Sequence, residues 1–248
     1  MNKGGIYIIM NIIGVKSIYK SFELGKEKVD ILNGLSFNVR RGEFLSIMGP
    51  SGCGKSTLLY ILGGLDEPSR GNVTINGRDL FSMKEKEKSL MRRRKIGFVF
   101  QFYNLVPNLS VEDNIMLPLL IDGKKTKDLK NGLSKMLEIT GLNSRRKHTP
   151  SELSGGQQQR VAIARALLFN PEIILADEPI GNLDSKTGTE IMNLFKDINK
   201  EFNKTIVQVT HSDEAAGYGT DILRIRDGEI GIKESMKNGT NIKNYGFD

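Results

Sequence analysis

The segment Gly49-Pro-Ser-Gly-Cys-Gly-Lys55-Ser56 restricts the possible fold more than any other, because it fits G-x-x-x-x-G-K-[ST] and lies between two regular elements. A nearly continuous apolar run, Phe44-Leu-Ser-Ile-Met48, precedes it, and residues 56–62 carry a helical pattern after it. A buried strand therefore feeds a tight loop that opens a helix. Glycines let the backbone N–H groups turn inward, and the helix N-terminus adds the positive end of its dipole, so the loop is a cradle for phosphate oxygens. Gly49, Ser51, Gly52, Cys53, Gly54, Lys55, Ser56 and Thr57 are the candidate phosphate-binding residues. Lys55 is expected to reach the β- and γ-phosphates and Ser56 to ligate Mg²⁺. Cys53 is expected to be a small spacer in the loop, without a redox role.

The remaining periodicities build a sheet around this loop. Apolar residues at Ile31, Leu35, Phe37 and Val39 alternate as in a half-buried strand, and Asn72-Val-Thr-Ile75 before Asn76-Gly77 predicts a strand and hairpin turn. With a first strand expected over residues 6–15, these form an N-terminal antiparallel layer. Short strands at residues 96–100, 173–176, 206–210 and 221–226 alternate with helical patterns, which predicts a parallel α/β sheet with ligands at the carboxyl ends of its strands. Helices are expected over residues 84–92, 110–119 with Ser110 as N-cap, 127–140 stopped by Gly141, 154–169, and through Ile191, Leu194, Phe195, Ile198 and Phe202. Asp227-Gly228 predicts a closing hairpin, and the polar stretch 234–248 a loose tail.

Composition excludes several classes. The 248 residues carry 36 Lys+Arg against 29 Asp+Glu, a net charge of +7, with 38% hydrophobic residues, the profile of a folded domain. One cysteine rules out an intrachain disulfide framework and a thiolate metal cluster. The apolar run at residues 6–15 is half the length of a membrane helix, lacks a signal-type cleavage site, and contains Met10 as an alternative start. The basic clusters Arg92-Arg-Arg-Lys95 and Arg145-Arg-Lys147 lack interleaved aromatics, so they are expected to be solvated faces; no nucleic-acid partner is expected.

Two further segments carry chemistry. Asp177-Glu178 ends the apolar strand Ile173-Ile-Leu-Ala, and successive side chains at a strand end point apart, which gives the two carboxylates different tasks. Asp177 is expected to hold Mg²⁺ and Glu178 to polarise an attacking water. Leu153-Ser-Gly-Gly-Gln157 places a serine and two glycines ahead of a helix, a second anion-receptive N-terminus. Between a phosphate loop and an Asp-Glu strand, this pentapeptide resembles the signature of the ATP-binding-cassette (ABC) ATPases.

The resemblance spans about residues 11–231 and implies an α/β P-loop NTPase fold: a parallel RecA-like core, an N-terminal antiparallel β-subdomain and a helical signature subdomain at about 102–160. It implies one domain over residues 1–232 and a polar tail over 233–248. It implies ATP and Mg²⁺ as cofactors. Residue by residue, it implies that Gln101 ligates Mg²⁺ or water, that Ser154, Gly155, Gly156 and Gln157 close on ATP held by a second subunit, and that Asp184, in Gly181-Asn-Leu-Asp184, communicates between the two sites. His211 resembles the histidine that contacts the γ-phosphate, and Phe22 falls where an aromatic stacks on adenine, with Tyr19 its neighbouring rival; His148 matches no motif.

Within the superfamily, Phe98-Val-Phe-Gln-Phe-Tyr-Asn-Leu-Val-Pro107 and Asn114-Ile-Met-Leu-Pro118 resemble the branch of macrolide exporters, lipoprotein-releasing ATPases and bacitracin-type peptide transporters, with a lean to the last. Ile180 departs from that branch's usual threonine. The implied function is an ATP-hydrolysing subunit that pairs as a homodimer and powers a separate membrane permease, exporting or removing antimicrobial peptides or lipid-linked molecules. It is expected in the cytoplasm, peripheral on the inner membrane face and touching the membrane only through the permease. A soluble cassette acting on nucleic acid or ribosomes is the rival, disfavoured because no coiled coil separates Lys55 from Leu153 and only one cassette is present. A module without turnover is disfavoured by Glu178 and His211.

Overall fold

The computed structural model describes residues 11–25, 27–123, 130–235 and 242–244. Two long strands, β1 (Asn11–Leu24) and β2 (Glu27–Arg40), pair antiparallel, and β1 also pairs with β4 (Arg70–Ile75), which turns through Asn76-Gly77 into the short β5 (Arg78–Asp79). This is the expected antiparallel layer. Its first described strand residue is Asn11, so residues 6–10, including Met10, lie outside the described residues.

The second sheet has the order β11 (Ile242–Asn244), β10 (Glu229–Ser235), β9, β3, β8, β7 and β6. Its core strands are parallel: β3 (Phe44–Met48), β6 (Ile96–Val99), β7 (Ile173–Asp177), β8 (Thr205–Thr210) and β9 (Asp221–Arg226). β3 is hydrogen-bonded on both sides, to β8 and β9, so the strand that launches the phosphate loop is central and wholly buried. Alternation along the strands assigns their faces. Leu45, Ile47, Leu175, Val207 and Val209 pack with α1 (Lys55–Leu62) and the antiparallel layer. Phe44, Ile174, Ala176 and Ile206 face α5 (Gly155–Leu167) and α6 (Ser185–Phe202).

The remaining helices follow local signals. α2 (Glu85–Lys95) has acidic residues in its first turn and four basic residues in its last, matching the helix dipole, and runs directly into β6. α3 (Val111–Ile121) is capped by Ser110, which accepts from the Asp113 N–H, while α4 (Lys130–Ile139) is the described part of the helix expected over 127–140. α3, α4 and α5 share a separate apolar cluster of Val111, Ile115, Leu133, Leu137 and Val161. A short α7 (Asp213–Ala216) precedes β9.

The expectation of a loose tail over 234–248 is corrected at residues 234–235 and 242–244, while 236–241 and 245–248 lie outside the described residues. Asp227 and Gly228, at φ 52° and 77°, make a tight hairpin turn that sets β10 (Glu229–Ser235) against β9, and the pairing persists through Glu234 and Ser235. Ile242–Asn244 then forms β11 against β10. An edge strand needs only backbone partners and faces water, so its polar composition hid it.

The basic clusters are largely consumed within the chain. Arg93 and Arg94 bond Asp122, Lys95 bonds Glu172, and Arg146 and Lys147 bond Glu112. Glu172 joins three elements at the start of β7, because its carboxylate also accepts from Arg41 at 2.6 Å. Hydrogen bonds from Lys95 and Arg41 hold its pKa at about 2, well below the ordinary 4.5. A depressed carboxylate contributes stability above its unfolded pKa and loses it as pH falls towards the folded value. Glu172→Gln should therefore lower the thermal midpoint at pH 7, and the gap from wild type should close between pH 4.5 and 2. A gap constant across that range, in thermal melts at several pH values, would contradict this.

Candidate functional site

The loop after β3 opens onto a cleft of about 350 Å³ lined by Phe22, Ile31, Ser51, Gly52, Gly54, Lys55, Ser56, Thr57, Gln101 and Glu178. Gly54 is the N-cap of α1 at φ 91°, and a Cβ there would strike Leu32 and Ile31, so the loop closes only with glycine. Lys55 is buried, and its ammonium donates to the Gly49 and Pro50 carbonyls at 2.9 and 2.8 Å. A lysine has three N–H donors, so one remains for an anion in the cleft. Gly49 and Cys53 do not line the cleft. Cys53 packs against the core.

Asp177, at the end of β7, is buried and held from both sides. Ser56 Oγ donates to its Oδ1 at 2.8 Å, and Tyr60 OH to its Oδ2 at 2.8 Å. Burial and the adjacent carboxylate push the Tyr60 hydroxyl up to about 12. Sequence reasoning missed Tyr60, although its place one helical turn after Ser56 was a usable signal. Glu178 follows in the left-handed region at φ 44°, where its N–H bonds the Val209 carbonyl and its Oε1 accepts from His211 Nδ1 at 2.9 Å. A strained backbone at a charged residue lining a cleft is typical of functional positions. His211 is exposed, and with Nδ1 engaged its Nε2 stays available.

Gln101, just past β6, lines the same cleft and is tied to the loop after Glu178. Its side chain donates to Asn182 Oδ1 at 3.4 Å, and Asn182 donates back to the Gln101 carbonyl at 3.0 Å. Asn182 is a second residue that the motif reading left without a role. The oxygens of Ser56, Asp177 and Gln101 fit Mg²⁺, which favours hard oxygen ligands and takes few from protein when phosphates supply the rest. Among the described residues no cluster of three or more His, Cys, Asp or Glu could hold a metal ion unaided.

Phe22 lines the cleft, with the Lys20 ammonium 4.9 Å from its ring centroid. Tyr19 does not line it; its ring lies over Gly34. The structure thus favours Phe22 as the aromatic beside the phosphate loop.

Ser154, Gly155, Gly156, Gln157 and Asp184 are absent from the cleft wall. Ser154 caps α5, accepting from the Gln157 N–H, while Gln157 accepts from the Ser154 N–H. Gly156 packs so closely on α6 that a Cβ would collide with Thr187. Asp184 caps α6 by accepting from the Thr187 N–H and hydroxyl, bonds that hold its carboxyl below the usual range. Gln159, on α5, donates to the Pro179 carbonyl at 2.6 Å, linking this helix to the residue after Glu178. Ile180 packs against Gly188 of α6, an apolar contact that accommodates the departure noted there.

The segment after Gln101 is pinned from beneath. Arg165 donates to the Tyr103 and Asn104 carbonyls, and burial pushes its pKa down. Asn114, fully buried, bonds the Val106, Leu109 and Ser110 carbonyls. Leu105 packs inward, but Phe102 is 74% exposed. His148 Nε2 pairs with the Arg145 guanidinium, and the residue does not line the cleft.

A phosphate loop on a central parallel strand, facing an Asp-Glu strand end and accompanied by a helical subdomain, defines a P-loop ABC ATPase fold. The chain belongs to the ABC transporter family, whose model matches residues 32–181. It is 51% identical over 219 residues to an uncharacterised ABC transporter ATP-binding protein of Thermotoga maritima, covering 88% of this chain and 93% of that one. A lipoprotein-releasing system ATP-binding protein of Syntrophus aciditrophicus is 44% identical, covering 88% and 98%. A macrolide export ATP-binding/permease protein of Bdellovibrio bacteriovorus is also 44% identical, but the match spans 34% of its length. Among solved structures, the dimeric post-hydrolysis state of the cassette MJ0796 bound to ADP and Pi superposes with a TM-score of 0.84 at 43% identity, covering 91% of this chain and 99% of that one. The chain is thus an ABC transporter ATP-binding cassette related to macrolide-export and lipoprotein-release proteins, and among the described residues no helix is long and apolar enough to cross a membrane.

Phe22→Ala should weaken ATP binding by about 1–3 kcal/mol, the range of base stacking on an aromatic side chain, whereas Tyr19→Ala should leave it unchanged. Fluorescent-nucleotide titration checks this, and the reverse order would contradict it.

Proposed function

We propose that this chain hydrolyses ATP at an interface between two of its own copies and that the resulting opening and closing drives a separate membrane permease. The observation that carries the reading is the division of parts: Lys55, Ser56, Gln101 and Glu178 share one cleft, while the anion-receptive helix N-terminus at Ser154 stands outside it. A second copy, placed head to tail, supplies the missing donor group to the γ-phosphate. The dimeric relative bound to ADP and Pi supports this arrangement.

In this reading the phosphate loop and the free donor of Lys55 bind the phosphates, and Phe22 stacks on the base. Ser56, Asp177 and Gln101 would hold Mg²⁺, which would supply positive charge beside the phosphates. Glu178 accepts a hydrogen bond from the attacking water and orients it, while His211, donating from Nδ1, positions the Glu178 carboxylate. Asp184 fixes the start of α6 at the interface, and the Gln101–Asn182 pair ties the cleft to that segment.

Docking of the permease belongs near Phe102, because a ring left 74% exposed on a loop fixed by Arg165 and Asn114 is costly unless a partner covers it. Ile121, 67% exposed at the end of α3, is a second large apolar side chain left in water. In this reading the chain sits on the inner membrane face through its partner. For cargo we favour amphipathic peptides or lipid-linked molecules, a class compatible with the names of the lipoprotein-releasing and macrolide-export relatives.

Glu178→Gln tests the mechanism: the amide keeps the shape but loses the charge that orients water. The variant should bind ATP, lose at least about a hundredfold in turnover, and elute as a dimer with ATP and Mg²⁺ in size-exclusion chromatography. A monomer with normal hydrolysis would overturn the assignment. For cargo, deleting the gene should sensitise the cell to bacitracin, and a Glu178→Gln copy should fail to restore resistance. Unchanged peptide sensitivity with a defect in lipoprotein release or macrolide tolerance would move the cargo to that class.

A further inference from the structure

Tyr60 belongs to none of the motifs, yet it makes the second of only two side-chain hydrogen bonds to Asp177 recorded among the described residues. Ser56 and Tyr60 stand one turn apart on α1, and each hydroxyl takes a different oxygen of the same carboxylate at 2.8 Å. The two partners are not equivalent. Ser56 lines the cleft, so its hydroxyl is the one that turns towards a cation beside the phosphates. Tyr60 is outside the cleft wall, and its ring is backed by Phe100, with centroids 6.4 Å apart, which in turn stacks on Phe98 at 5.6 Å. The terminal torsion of an aspartate is soft, with two broad wells. Once Ser56 is engaged elsewhere, Tyr60 alone fixes the rotation of the carboxylate.

Resting on the Mg²⁺ role given above to Asp177, we infer that Tyr60 is a positioning residue: it anchors Oδ2 of Asp177 so that Oδ1 is presented to the cation from the moment nucleotide enters. Partners that orient a metal-ligating carboxylate typically contribute about 10- to 100-fold to metal affinity. The phenol is suited to this task because it donates from a rigid ring on α1 backed by Phe100, just past β6, which a flexible side chain would not match.

Tyr60→Phe removes one oxygen and keeps the ring against Phe100. Fluorescent-ATP binding is measured for wild type and variant in EDTA and across a Mg²⁺ titration, with circular dichroism melts confirming folding. In EDTA the two should bind nucleotide within about twofold of each other. The Mg²⁺ concentration for half-maximal response should rise about tenfold in the variant, the lower end of the range for such partners. In an Asp177→Asn background the same change should have no further effect on Mg²⁺ dependence, because the hydroxyl acts through that carboxylate. An unchanged Mg²⁺ midpoint in Tyr60→Phe, or an equal shift in the Asp177→Asn background, would overturn the inference while leaving the ATPase reading intact. A wild-type protein whose nucleotide binding ignores Mg²⁺ would overturn both.

Discussion

Burial of α1 between two sheets is the constraint on which the rest depends. Leu58, Leu59, Ile61 and Leu62 are wholly inaccessible, packed by the antiparallel layer on one side and by Leu45, Leu175, Val207 and Val209 on the other. At about 1.5–3 kcal/mol for each large apolar side chain buried, these four residues contribute a gross amount comparable to a domain's net stability of about 5–15 kcal/mol. A helix fixed on all sides also fixes its own N-terminus. The phosphate loop is thereby clamped between central strand β3 and an immovable helix, and the donors facing the cleft need no reorganisation when an anion arrives.

The same helix organises the chemistry at the neighbouring strand end. Ser56 and Tyr60 reach from α1 to Asp177, and the chain then turns through the left-handed Glu178, whose carboxylate meets His211 from the end of β8. Gln159 and Asn182 extend this constellation outward, one to the helix that begins at Ser154 and the other to Gln101. Polar groups at the ends of β6, β7 and β8 are thus mechanically linked to the two segments proposed to face a second copy.

Much of this was legible in the sequence because the signals were local. Strand, glycine loop and helix around Lys55 follow from residue type and spacing alone, and the short apolar runs at 173–176 and 206–210 announce buried strands. Ser110 and Ser154 were readable as caps for the same reason. What stayed hidden depends on contacts between distant segments. Tyr60 gains its meaning only when β7 arrives beside α1, and Asn182 only when Gln101 folds against it. The pairing of Arg93 and Arg94 with Asp122 likewise turned a basic run that looked solvated into an anchor between α2 and α3. Strand β11, which is polar and at the sheet edge, carried no pattern to announce it.

The central claim is that each cleft is completed by the Ser154 helix of another copy. Its most direct test pairs two defective chains, both in the Glu178→Gln background: one carrying Lys55→Ala, which cannot hold the phosphates, the other Ser154→Arg, which cannot complete its partner's site. Sedimentation with ATP and Mg²⁺ reads the mass of each alone and of the mixture. Neither chain should dimerise alone, the Ser154→Arg chain should still bind ATP as a monomer, and the mixture should form a dimer holding one nucleotide, because one composite site keeps both Lys55 and Ser154. Full dimerisation of the Ser154→Arg chain by itself, or loss of its ATP binding as a monomer, would contradict a shared site and assign that helix to the cleft of its own chain.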